Sequence, residues 1–108
     1  MPTHNKLVRD KILEIIETQG LSYNAKLLEE HELLSEIKKK LYEEVKEFDE
    51  ATDEQEAIEE LADVLELIHA ALMVYNKSFN NLESVRLKKK EQRGGFEKGL
   101  YLIDVEDR

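Results

Sequence analysis

Hydrophobic positions recur along most of this chain at helical spacing, and they divide it into four segments. Leu7, Ile12, Ile15 and Ile16 follow the period of a helix and Gly20 supplies a stop, so a first helix is expected from about Val8 to Gln19. Leu21 to Leu28 mixes Ser, Tyr and Asn with apolar residues and reads as a loop leading into an extended segment near Tyr23 to Leu28. From His31 to Glu50 the set Leu34, Ile37, Leu41, Val45 and Phe48 keeps a 3.6 period with Lys and Glu between, which is the strongest helical signal of the first half. Thr52 with Gln55 has the form of a capping box, and no Gly or Pro interrupts the pattern from there to about Asn76. Asn80 with Glu83 repeats the capping form, and a fourth helix is expected to run to about Gln92 before Gly94 and Gly95. Leu100 to Val105 resembles a short terminal strand that could pair with the segment near Lys26. The expected class is therefore all-α, a bundle of about four helices with room for a short terminal strand pair.

Two of the predicted helices carry apolar faces that contain acids. At about 100° per residue, Glu44 projects between Ile37, Leu41 and Phe48, on the stripe that a solvated glutamate would avoid. Glu47 and Lys40 flank that stripe on one side, with Glu43 further round. On the third helix Ile58, Leu61, Leu65, Ile68 and Leu72 form one stripe, while Leu67, Ala71 and Val74 form a second, in or beside which lie Glu60 and Asp63. A helix apolar over so much of its circumference buries more than one face, and the second stripe suggests a homodimer. Acids three or four apart share a helix face, so five carboxylates, Glu43, Glu44, Glu47, Glu60 and Asp63, could converge where the two helices pack. Charge in apolar surroundings is costly unless it is paired or bound to a cation. Hard oxygen ligands suit magnesium, and magnesium with open positions suits a phosphate chain.

Composition narrows the alternatives. A chain of 108 residues, 41% hydrophobic, is long enough for one cored domain and too short for two ordinary ones. Its 16 basic and 25 acidic residues give a net charge of −9, which argues against a dedicated nucleic-acid binder. Binding a polyanion would need a divalent metal together with the local basic clusters, Arg9 with Lys11 and Lys88 to Arg93. The absence of cysteine excludes disulfides, thiolate metal sites and a cysteine nucleophile. No segment approaches a signal peptide or the roughly 18 apolar residues of a membrane span, so a cytoplasmic protein is expected. His4, His31 and His69 lie too far apart for a local zinc motif. Plain readings compete at several places: acid-rich helices are commonly solvated, and basic residues favour a helix C-terminus. Tyr42, Tyr75 and Phe96 are better assigned to packing than to stacking on a base.

Glu43-Glu44-x-x-Glu47, a spacer of twelve residues and Glu60-x-x-Asp63 resemble the E-E-x-x-E, spacer, E-x-x-D signature of the MazG-like all-α nucleoside triphosphate pyrophosphohydrolases. Asn5-Lys6-Leu7-Val8-Arg9-Asp10-Lys11-Ile12 and Arg93-Gly94-Gly95-Phe96 look like the ends of a small single-domain branch of phosphoribosyl-ATP pyrophosphohydrolase-like, house-cleaning proteins. The resemblance implies a helical bundle that dimerises or assembles further, binds magnesium, with manganese as a substitute, and cleaves a nucleotide between its α and β phosphates. Carried over by position, Glu44, Glu47, Glu60 and Asp63 would be metal ligands, with Glu43 a ligand or a supporting carboxylate. One of these acids could also orient or deprotonate the water. Lys40 would meet phosphate oxygens, with Arg9, Lys11, Lys90 and Arg93 as weaker candidates for the same task. Leu13 stands where the branch often has Pro, and Tyr42 where the histidine-biosynthetic enzymes usually have Gly. General nucleotide clearance therefore ranks above the biosynthetic reaction. Two other classes compete with an enzyme: a catalytically silent nucleotide-binding dimer and a purely structural acidic bundle.

Overall fold

The computed structural model describes residues 2–107. Among them are four helices and no strand: α1 (Ile12–Thr18), α2 (Glu30–Glu50), α3 (Glu54–Val74) and α4 (Phe79–Arg93). The chain divides into two compact units, one up to Asn76 and one from Lys77 on. The first contains α1, α2 and α3, and the second is built on α4.

In the first unit, α2 and α3 are joined through Ala51–Asp53 and pack along each other, as a short connection between long amphipathic helices requires. The turn holds itself together by hydrogen bonds. Asp53 accepts from the backbone N–H of Glu56 at 2.9 Å, while the Glu56 carboxylate accepts from the backbone and hydroxyl of Thr52. The cap is thus Asp53 and not the expected Thr52 with Gln55. Aspartate satisfies a free N–H of the first turn and also places negative charge at the positive end of the helix. In the second unit the capping box is Ser78 with Asn81, reciprocally bonded, two residues before the expected Asn80 and Glu83. Gly94, at φ +81°, ends α4 in a conformation that residues with a side chain rarely adopt. The first helix is also shorter than expected: Lys11 supplies no side-chain cap, and regular structure starts only at Ile12.

The expected strand pair is absent among the described residues. Leu100, Tyr101, Leu102, Ile103 and Val105 are all exposed, and neither they nor Tyr23–Leu28 form a ladder. Two short strands alone are marginal in water.

The α2–α3 contact also corrects the assignment of faces. Among the described residues the only buried hydrophobic side chains are Ile37 of α2, at 0% exposure, and Leu67 of α3, at 8%. Leu67 belongs to the second stripe, together with half-buried Ala71 and Val74, so this stripe faces α2. Ile58, Leu61 and Leu65, from the first stripe roughly 140° round the helix, remain exposed at 56%, 44% and 44%. The first stripe is therefore open over its N-terminal part, while Ile68 and Leu72 further along are half-buried. The stripe containing Glu60 and Asp63 is the one turned inward.

Candidate metal and phosphate site

That inward turn brings the acids together. Glu44 projects from the middle of the apolar stripe of α2 and is only 6% exposed, the one buried charged residue among those described. Glu47, one turn later, and Glu60, from the facing stripe of α3, join it. One carboxylate oxygen from each of Glu44, Glu47 and Glu60 lies within 4.8 Å of the others. On two of these acids one oxygen, Glu44 Oε2 and Glu60 Oε2, is buried with no hydrogen-bond partner. Buried carboxylate oxygens normally find a donor, so two orphans aligned with a third acid are costly unless a cation completes them.

Electrostatics reports the same strain. The Glu44 carboxyl is pushed up to about 7, first by burial and then by the neighbouring carboxylates of Glu47, Glu60 and Asp63. Glu60 is raised as well, chiefly by its contact with Glu47. Lys40 gives partial relief: its Nζ lies 3.5 Å from Glu43 Oε2 and 3.7 Å from Glu44 Oε1. Its aliphatic stem is largely covered, so the ammonium is held at the edge of the acid cluster. Glu43 itself is half exposed and lies on the Lys40 side of the group.

Asp63 lies on α3 one turn after Glu60 but outside the converging trio. Its Oδ1 accepts a hydrogen bond from Arg9 Nη2 at 2.6 Å, so the segment before α1 reaches a carboxylate 54 positions further along the chain. The sequence carries no signal for this pairing, since nothing in the pattern links an arginine before α1 to an aspartate on α3. Lys11 stands at the N-cap of α1, two residues from Arg9. Lys90 and Arg93 occupy the last turn of α4 in the second unit, where Lys90 pairs with Glu97 at 3.2 Å. Three further acids escaped the sequence reading: Glu50, Glu56 and Glu59 line an open recess together with Glu47, Ala51 and Glu60. Their signal was available, because Glu50 follows Glu47 by one helical turn and Glu56 precedes Glu60 by one. A second trio, Glu29, His31 and Glu32, sits at the start of α2 but is largely exposed and carries no orphaned buried oxygen.

A cluster of this kind can hold a hard divalent cation on carboxylate oxygens, with a lysine and an arginine at its margin to meet anionic oxygens. Comparison with known proteins gives one finding of family rank: the model of the phosphoribosyl-ATP pyrophosphohydrolase family matches residues 5–85. No curated protein and no solved structure matches significantly. The matched region contains Arg9, Lys11, Lys40 and all five acids, and ends before Lys90 and Arg93.

Proposed function

The chain belongs to the phosphoribosyl-ATP pyrophosphohydrolase family, within the MazG-like all-α pyrophosphatase superfamily, and from that premise we propose that it releases pyrophosphate from a nucleotide by magnesium-dependent cleavage between the α and β phosphates. Membership makes the protein a pyrophosphohydrolase acting on phosphoric anhydrides, with a nucleotide as substrate. The metal, the residue roles and the choice of nucleotide are the proposed part.

The observation that carries the reading is the convergence of the Glu44, Glu47 and Glu60 carboxylates, two of which bear a buried oxygen with no hydrogen-bond partner. An all-carboxylate donor set fits a hard cation, and magnesium retains open positions for phosphate. Glu44, Glu47, Glu60 and Asp63 would hold it, and manganese would substitute. The bound ion supplies neutralisation of phosphate charge and a more acidic water. Glu43, at the border of the cluster, orients that water. Lys40, already between Glu43 and Glu44, takes a phosphate oxygen, and Arg9 and Lys11 approach from the segment before α1. This mechanism needs no protein nucleophile, which agrees with a chain that has no cysteine.

We assign the substrate first to nucleoside triphosphates in pool house-cleaning. The family match favours phosphoribosyl-ATP as the second reading. Both substrates present the same triphosphate chain, so the acids serve either. The match runs across the boundary between the two compact units, which supports treating the chain as one domain. The exposed Ile58, Leu61 and Leu65 support a homodimer formed through that face of α3. A cytoplasmic setting suits a nucleotide substrate, and among the described residues no helix is long and apolar enough to cross a membrane.

The test is pyrophosphate release from a panel of normal and modified nucleoside triphosphates and phosphoribosyl-ATP, with magnesium and then with chelator. Metal-dependent release that is lost in Glu44→Ala and Asp63→Ala, with the helical signal kept, is the expected result. Full activity in both variants would refute the site.

A further inference from the structure

The fourth expected ligand, Asp63, stands apart from the trio of Glu44, Glu47 and Glu60, and its Oδ1 is occupied by Arg9 at 2.6 Å. We propose that Arg9 competes with the divalent cation for Asp63: the guanidinium holds Oδ1, its positive charge opposes a cation on the same carboxylate, and once released it becomes a phosphate-binding group. The inference rests on the metal reading of the acids given above.

Three observations support it. A guanidinium and a divalent cation are both drawn to the same carboxylate, and two positive centres on one small group repel each other. The pair is also exchangeable. Arg9 and Asp63 side chains are 56% and 37% exposed, and ion pairs so placed contribute little and break readily. Finally, Arg9 belongs to an irregular stretch preceding α1, so its side chain can be redirected without unwinding a helix. A planar fork of donors suits either partner, since carboxylate and phosphate offer the same spacing of acceptor oxygens. Arg9 is thus a positioning residue that stabilises Asp63 before the cation arrives and serves the phosphate chain afterwards.

Manganese binding to the full chain, followed by the electron spin resonance of the free ion without nucleotide, tests the idea independently of turnover. Arg9→Ala should tighten binding by about 1.5- to 5-fold, the range a surface ion pair can withhold. Lys6→Ala removes a charge of the same sign from the same segment and should change affinity less than Arg9→Ala does. In the unaltered protein, the NMR resonance of the Arg9 Nε–H should shift in step with magnesium occupancy. Unchanged or weaker manganese binding in Arg9→Ala would overturn the proposal, as would equal effects of the two substitutions or an Arg9 resonance indifferent to saturating magnesium. In each of those cases the metal site itself survives. Failure of the unaltered protein to bind either ion would instead remove the metal reading, and this inference with it.

Discussion

Substituting Glu44 by Gln keeps the shape of the side chain and removes the one buried charged group among the described residues. A glutamate whose native pKa rises from 4.5 to about 7 favours the folded state fully at pH values below 4.5. That advantage drains away as pH rises towards 7, because the unfolded chain gives up its proton first. At about 1.4 kcal/mol per pH unit, the loss amounts to about 3 kcal/mol by pH 8. At 6% exposure solvent screens little of this, although Lys40 Nζ at 3.7 Å offsets part of it. Urea unfolding at fixed protein concentration, with chelator present, from pH 4.5 to 8, measures the effect. The unaltered protein should lose stability across that range, and Glu44→Gln should flatten the curve and be the more stable protein at pH 8. Magnesium should then restore the unaltered protein above pH 7 and leave Glu44→Gln nearly unaffected. Parallel pH curves for the two proteins, or a less stable Glu44→Gln at pH 8, would refute the picture of a strained carboxylate waiting for a cation.

Two other substitutions probe the frame around the site. Ile37→Ala opens a cavity at the single fully buried side chain of α2 and should cost about 2 to 5 kcal/mol in urea unfolding; a loss below 1 kcal/mol would mean that the α2–α3 contact is not the core. Leu65→Asp places charge on the open stripe of α3 and should halve the mass found by light scattering, whereas Leu27→Asp, at a residue 99% exposed, should not; an unchanged mass for Leu65→Asp would exclude that face as the dimer contact.

Helix existence was readable because apolar periodicity and stop signals agree: Gly20 and Gly94 lie just past α1 and α4, at φ +74° and +81°. The starts were less readable. In Thr52-Asp53 and Ser78-Phe79-Asn80-Asn81, several neighbouring polar residues can cap, and sequence alone does not decide which side-chain oxygen meets a free N–H. The terminal strand failed for a different reason. Residues Leu100–Val105 have suitable side chains, but strand formation depends on a partner, which propensity does not report.

The reversal of stripes on α3 connects the fold to the site. Judged by hydrophobicity, Ile58, Leu61 and Leu65 should be the side packed within the chain, yet Leu67 is buried and those three are open. The reason lies with the acids. Glu60 and Asp63 share the face of Leu67, and Glu44 shares the face of Ile37, so the packing that buries Ile37 and Leu67 is also what gathers the carboxylates. Turning the more apolar stripe of α3 towards α2 would move Glu60 and Asp63 away from Glu44 and dissolve the trio. Packing the open Ile58, Leu61 and Leu65 against α2 instead would strand no carboxylate oxygen. The observed arrangement gives up that burial inside the chain, and the open stripe is consistent with recovering it against a second copy. A cation on the gathered carboxylates would offset the cost of a face that carries both a hydrophobic core and a cluster of like charges.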